Sequence, residues 1–439
     1  MARATADHLS RRLADSAEHV PRDVEWLLGW LAERRRRNPF TVVTVPFDRL
    51  AGWHFDPETD HLAHREGRFF AVEGVDVRTD HGGARHWRQP IVNQQDVAIL
   101  GILATRIDGV LHFLMQAKME PGNVNVVQLS PTVQATSSNY LRAHRGAASR
   151  YVEHFLDPEP GSVLVDVLQS EQGSWFRGKR NRNVVVELPG PPPAHDDFVW
   201  LTLGQLHASL AVPNVVNMDA RTVLSCLLAG ASAACPGAAG SWLTRHKSAH
   251  FLTTTPIRLD RVTGWRRDGE RISRPDGRFF GIVGVRVEAT NREVGSWCQP
   301  LLEPASPGLA AFLVRCREGV PQVLARADLR PGYRDVVELG PTVQCAPASV
   351  ADGSRPRFLD DVLAPGADVR YDVVQSEEGG RFRHAVTRHV LVEAPDAPEP
   401  PGFRWLDVAA VAALARSSYQ VDIEARSLLL CLSAHYPAR

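Results

Sequence analysis

Lysine is nearly absent from this chain. Of 50 basic residues among 439, only Lys118, Lys179 and Lys247 are lysines, and the rest are arginines. Such a bias points to mutational pressure that replaces lysine wherever arginine serves. A surviving lysine then marks a place where a compact, titratable ammonium is needed and a planar guanidinium fails. Lys247, in a polar stretch, reads as chance survival. Net charge is lacking too, because 50 basic side chains balance 50 acidic ones. That leaves no overall basic footprint for nucleic acid or an anionic membrane surface. No apolar run approaches the roughly 20 residues that span a bilayer, and the first eight residues lack the apolar core of a secretory signal. The six cysteines (226, 235, 298, 316, 345 and 431) are scattered, with no Cys-x-x-Cys and no partner histidine at metal spacing. This argues against a disulfide scaffold or structural zinc and fits a reducing cytoplasm, each cysteine acting as a small buried hydrophobe. Also missing are a G-x-G-x-x-G dinucleotide fingerprint, a P-loop, an H-E-x-x-H, an EF-hand loop and a G-x-S-x-G elbow.

What is present is a duplication. Arg-Leu-Ala-Gly-Trp at 49–53 returns as Arg-Val-Thr-Gly-Trp at 261–265, an offset of 212. Gly-Arg-Phe-Phe (67–70 and 277–280), Trp-x-Gln-Pro (87–90 and 297–300) and Val-x-Leu-x-Pro-Thr-Val-Gln (127–134 and 337–344) recur at 210. Asp-Val-x-Gln-Ser-Glu (166–171 and 372–377) recurs at 206. Colinear matches with a slowly drifting offset mean two homologous domains. They are placed at 39–230 and 250–439, joined by a Gly/Ala/Ser-rich linker within 229–249 and preceded by a helical extension, 1–38. In that extension apolar residues at 24, 27, 28 and 31 form a helical stripe, and Arg34–Arg37 close it as a solvated, cation-favouring helix end.

Within a repeat, strands are expected at 69–77, 109–118, 125–134, 163–169 and 184–187, and helices at 137–155 and 219–228. Short strands with interspersed helices indicate an α+β fold in α/β/α layers. A period of two puts Gln116, Lys118 and Glu120 on one strand face, and Gln128, Ser130, Thr132 and Gln134 on one face of the next. Such rows do not face a core without cost. Gln, Ser and Thr at this density suit a hydroxyl-rich ligand. The second repeat keeps Thr342 and Gln344 but has Asp328 for Lys118 and Arg330 for Glu120. Both repeats then share a binding strand, with chemistry confined to the first. The competing reading is an ordinary ion pair, inverted in the second repeat. The loop 173–183 carries Arg177, Lys179, Arg180 and Arg182, a set suited to diphosphate oxygens. Trp87, Tyr140 and Trp175 are candidates to stack on a base or sugar, although core packing is the alternative for each.

The segment from Gln116-Ala-Lys-Met-Glu-Pro-Gly-Asn through Val127-Gln-Leu-Ser-Pro-Thr-Val-Gln-Ala-Thr-Ser-Ser-Asn-Tyr140 resembles the signature of the NDP-hexose 2,3-dehydratases of deoxysugar pathways for glycosylated antibiotics. The resemblance covers nearly the whole chain. It implies two Nudix-like domains per subunit, a homodimer, and two nucleotide-sugar pockets of which one is catalytic. It also implies loss of the C-2 hydroxyl of a dTDP-4-keto-6-deoxy-glucose as water, ahead of a C-3 ketoreductase. Thr136, Ser138, Asn139 and Tyr140 join the first pocket on this basis. Trp297, Thr342, Gln344, Arg381 and Arg383 form the second. No redox cofactor or metal is required: the C-3 proton is acidic beside the C-4 ketone, and Lys118 and Glu120 are the expected catalytic pair. A Nudix hydrolase wants several carboxylates on its metal-binding helix, yet 137–157 offers Glu153 and little else, so diphosphate hydrolysis is not expected. The rival reading is a non-catalytic nucleotide-sugar scaffold or sensor.

Overall fold

The computed structural model describes residues 2–67, 69–136, 149–228, 237–292, 294–350 and 355–435. Helices and open sheets are mixed throughout, as an α+β chain requires. Each repeat builds one seven-stranded mixed sheet. In the first, the order is Val163–Ser170, Arg180–Glu187, Ala98–Ile107, Val110–Met119 and Phe198–Leu201. The second repeats that order with Asp368–Ser376, Val386–Glu393, Gly308–Arg317, Val320–Asp328 and Phe403–Asp407. The pairing of 98–107 with 180–187 is parallel and the others are antiparallel.

The two repeats trade strands. Phe40–Val45, from the start of the first repeat, runs antiparallel to Phe280–Ala289 of the second, with Phe40 opposite Ala289. Leu252–Ile257, from the start of the second, runs antiparallel to Ala71–Thr79 of the first, with Leu252 opposite Thr79. Each five-stranded sheet is therefore completed by the other repeat.

The helix Val24–Arg37 starts where Asp23 accepts a hydrogen bond from the Trp26 amide at 3.0 Å, and it buries Leu27 and Leu31. Its arginine-rich end is only partly solvated, since Arg34 is buried and donates to the Asp196 carbonyl at 3.0 Å. Of the expected linker, 229–236 lie outside the described residues. Residues 237–249 form a helix, Gly237–Ala249, that leads into the exchanged strand of its repeat as Val24–Arg37 does in the first. Lys247 belongs to this helix and pairs with Asp335 at 2.6 Å.

The expected closing helix is present as Met218–Ser225, with Asn217 capping the Ala220 amide. It packs against its counterpart Ile423–His435 at the junction of the repeats. There Arg221 donates to the Ser376 carbonyl at 2.9 Å, and Arg426 donates to the Ser170 carbonyl at 2.7 Å. Two fully buried guanidiniums thus each satisfy the other repeat's backbone. Cys226 and Cys431 are buried hydrophobes as expected, whereas Cys316 is exposed. No helix among the described residues is long and apolar enough to cross a membrane.

Candidate active site

Gln116 and Lys118 project from one face of Val110–Met119, and Glu120 follows immediately after it. The expected single strand at 125–134 is two strands. Val127–Ser130 pairs with 110–119, placing Ser130 opposite Gln116 and Gln128 opposite Lys118. The chain then crosses at Pro131-Thr132, and Val133–Ala135 pairs with 98–107. Thr132 sits in that crossing, where its hydroxyl accepts from the Leu103 amide at 2.9 Å and donates to the Leu114 carbonyl. Its hydroxyl is committed to holding the parted strands, and Thr132 borders a small cleft beside Lys118.

Gln134 ties the ionisable pair together. Lys118 Nζ donates to the Gln134 carbonyl at 3.0 Å, and Gln134 Nε2 donates to Glu120 Oε1 at 2.9 Å. Ser130 Oγ donates to Gln134 Oε1 at 3.0 Å, which fixes the amide's orientation. Lys118 and Glu120 are both buried, and Glu120 Oε2 has no hydrogen-bond partner among the described residues.

The Pro121-Gly122 turn docks on the second repeat. The Gly122 amide donates to the Gly379 carbonyl at 2.8 Å, and the His384 amide donates to the Gly122 carbonyl at 2.7 Å. A Cβ at Gly122 would overlap the Phe382 carbonyl oxygen. The reciprocal turn, Pro331-Gly332, docks on the loop 173–178 with the same two bonds. That loop was expected to cradle a diphosphate, but packing has claimed most of it. Trp175 stacks on Phe280 at 5.4 Å, Arg177 pairs with Glu73, and Arg182 forks onto Asp166 at 2.7–2.8 Å. Lys179, whose Nζ donates to the Asp96 carbonyl, faces inward.

These elements enclose a cavity of about 600 Å³. The first repeat lines it with Lys118, Glu120, Gln134, Thr136, Glu171, Lys179, Asn181 and Asp219. The second contributes Arg292, Trp297, Gln299, Glu378 and Arg381. Trp297 and Arg381, expected in a second pocket, therefore belong to the first. Gln116 borders a smaller cleft of about 40 Å³ beside Lys118. Gln128 is buried against Ser376 of the other repeat, 2.7 Å away. Trp87 donates to its own neighbour Gln89, and Arg383 pairs with Glu303 at 3.0 Å, so neither lines the cavity. Ser138, Asn139 and Tyr140 lie outside the described residues, as does most of the helix expected at 137–155. Glu171, Asn181, Asp219 and Glu378 join the cavity without a motif of their own in the sequence. For Glu171 a signal existed, since the Gln-Ser-Glu in which it sits is among the repeated segments. Asp219 offers less, an acid two residues past a helix cap.

The sequence profile of the NDP-hexose 2,3-dehydratases matches residues 24–227 and 237–432. The chain belongs to this family. Proteins named dTDP-4-dehydro-6-deoxy-alpha-D-glucopyranose 2,3-dehydratase are similar to it over most of their length. That of Saccharopolyspora spinosa is 48% identical over 92% of this chain and 90% of its own. That of Amycolatopsis orientalis is 46% identical over 97% and 93%. That of Streptomyces violaceoruber is 45% identical over 92% and 96%.

In this NDP-hexose dehydratase family member the cavity crowds four carboxyls among five lysine and arginine side chains. Burial, reinforced by the charges of Glu171 and Glu378, pushes the Asp219 carboxyl well above the carboxylate range. Burial also raises Glu171, against the pull of Lys179, and it lowers the Lys179 ammonium to about 8. Glu378 is raised to about 7, by burial first and then by the charge of Glu120. Arg381 donates to Gln94 Oε1 at 3.1 Å and to the Gly380 carbonyl at 2.8 Å, with its guanidinium 4.3 Å over the Phe70 ring. Among the described residues no group of three or more His, Cys, Asp or Glu side chains is arranged to hold a metal ion.

Among the described residues, the equivalent place in the second repeat is closed by an ion pair. Asp328 and Arg330 form an ion pair at 2.6 Å, and Arg326 joins it at 3.0 Å. Arg330 also donates to Gln344 Oε1 at 3.1 Å, while Thr342 repeats the strand-parting role of Thr132. Trp175 stands where the open cavity has Arg381, and Ala385 where it has Lys179.

Proposed function

We propose that this protein is a dTDP-4-keto-6-deoxy-glucose 2,3-dehydratase, a hydro-lyase that expels the C-2 hydroxyl and yields the dTDP-3,4-diketo-2,6-dideoxy sugar. Family membership supports the reaction class, and three relatives carry the name of this activity. The structural observation that carries the reading is the Lys118–Gln134–Glu120 array on the wall of a cavity whose size suits a small-molecule ligand.

The chemistry follows from the substrate. The C-3 hydrogen is acidic because the electron pair it leaves behind spreads onto the C-4 oxygen. The Glu120 carboxylate, oriented through Gln134, takes that proton. The Lys118 ammonium lies toward the C-4 oxygen, where negative charge develops, and a prearranged donor there stabilises the enediolate. The electron pair then returns to form the C-2–C-3 double bond as the C-2 hydroxyl leaves. The resulting enol ketonises to the diketone. Thr136, Lys179 and Arg381 hold the anionic ligand.

Each repeat reads as a Nudix-like unit, supported by the shared mixed sheet with one parallel pair. The wider reading is a cytoplasmic homodimer whose reactive diketone passes to a C-3 ketoreductase. The test is incubation of the purified protein with dTDP-4-keto-6-deoxy-glucose, with and without such a reductase and its reduced nicotinamide. Release of a 2-deoxy sugar product, trapped by the reductase, is expected. Binding of the nucleotide sugar without any loss of the C-2 hydroxyl would favour the scaffold or sensor reading.

A further inference from the structure

The scheme above leaves open which group gives a proton to the departing C-2 oxygen. We propose that Glu378, delivered by the second repeat, is that acid, working opposite Glu120 of the first. The inference rests on the dehydratase reading and adds a catalytic residue to it.

Three observations converge on Glu378. First, the docked Pro121-Gly122 turn brings the two carboxyls into one cavity. A Cβ on Gly379 would lie 3.0 Å from Glu120 Cβ. One on Gly380 would collide with Glu378 Oε1 and lie 3.6 Å from Glu120 Oε1. The acids thus face one another across a pair of glycines. Second, the Gly380 amide donates to Glu378 Oε1 at 3.0 Å, while Glu378 Oε2 makes no hydrogen bond among the described residues and remains available to carry a proton. Third, the duplication provides an internal control. In the sealed half Gln172 replaces Glu378 and Arg330 replaces Glu120, so the acid pair exists only where the cavity is open. Asp219 fails that criterion, because its counterpart Glu424 is also acidic. Burial and the charge of Glu120 hold the Glu378 carboxyl up to about 7, which leaves a large fraction of it protonated near neutrality.

The proton balance closes. Glu120 accepts the C-3 proton. As the C-2–O bond breaks, Glu378 donates to the oxygen and water departs. When the enol ketonises, the Glu120 carboxyl protonates C-2 and the Glu378 carboxylate collects the proton of the C-3 hydroxyl. Both groups return to their starting states with no other reactant.

The experiment compares two leaving groups on the full-length protein: the natural 2-hydroxy substrate and its 2-deoxy-2-fluoro analogue, whose fluoride departs without a proton. Glu378→Gln should lose about 10²–10⁴-fold in kcat on the hydroxy substrate, the usual share of a general acid. On the fluoro analogue it should stay within a few fold of wild type. Glu120→Gln should lose heavily on both. Wild-type kcat/KM for the hydroxy substrate should fall as pH rises through about 7, and this limb should vanish with the fluoro analogue. Calorimetry with dTDP reports whether each variant is folded. If Glu378→Gln binds poorly, Glu378→Asp, which keeps a proton, should recover part of the lost turnover. Equal losses on both leaving groups, or near-normal turnover of the hydroxy substrate by Glu378→Gln, would overturn the assignment. So would a leaving-group-selective loss in Lys179→Met instead. If wild type binds dTDP but transforms neither substrate, it is the dehydratase reading that fails.

Discussion

The two halves of this molecule share a strand order, a docking turn and a buried arginine at their junction, yet one holds a cavity and the other is sealed. Few residues make the difference. Lys118 and Glu120 are bridged by Gln134, whereas Asp328 and Arg330 bond directly to each other and consume Gln344 as well. Arg381 lies over Phe70 and leaves room beside it, whereas Trp175 covers Phe280. Opposite charges neutralise each other when they meet, and Gln134 between Lys118 and Glu120 keeps them from doing so. The comparison also shows that the sealed half is no idle copy, since it furnishes one wall of the open cavity.

The largest test of this contrast is Lys118→Ala. A donor aimed at developing oxyanion charge is worth about 2.7–4 kcal/mol, so kcat should fall by about 10²–10³. Affinity for dTDP, measured by calorimetry, should change much less. Lys118→Arg should recover little, because the fixed fork of arginine changes the geometry. Near-normal turnover by that variant would reduce Lys118 to a replaceable charge.

Arg381→Trp imports the residue of the sealed half. It should weaken nucleotide-sugar binding at least about tenfold, roughly 1.4 kcal/mol, with the fold kept. Unchanged affinity would show that Trp175 is not what fills its side. The docking turns provide a paired test. Gly122→Ala and Gly332→Ala each force a methyl onto a carbonyl of the other repeat. Both should cost about 2 kcal/mol in denaturant unfolding. Only the first should also depress kcat, because it displaces Glu120.

Asp328→Ala should leave turnover within a few fold while lowering stability by about 3–5 kcal/mol, the usual cost of stranding a buried charge. A turnover loss as large as that of Lys118→Ala would mean that chemistry occurs in the wrong half. The smallest effect is expected from exhaustive chelation, which should leave activity unchanged. Abolition with recovery on adding Mg²⁺ would contradict the absence of a metal from the mechanism.

Much of the fold was legible in the sequence. The duplication, the strand carrying Lys118 and the helix beginning near Asp219 follow from repeats and periodicity. What escaped were partnerships, because similarity between two segments does not say which ones touch. Sequence similarity groups Trp297 and Arg381 with their own repeat, yet strand exchange and turn docking put them in the other's cavity. Alternation over 125–134 predicts one polar wall, but Thr132 marks the point where the chain changes partners. The arginine-rich loop promised a phosphate site, yet Arg177 and Arg182 are matched by Glu73 and Asp166, acids distant in sequence. The lysine scarcity points to one place, since Lys118 and Lys179 line the same cavity.

The traded strands also bear on synthesis. A ribosome releases the chain from its N-terminus at about 5–20 residues per second, and most domains complete their folding as they emerge. Here the sheet built on Ala71–Thr79 waits for Leu252–Ile257, and Phe40–Val45 waits longer still, for Phe280–Ala289. The early half therefore carries two exposed β-edges through a long interval of elongation. The molecule matures as one obligate unit, and expressing either half alone should yield an unfinished sheet rather than a smaller enzyme.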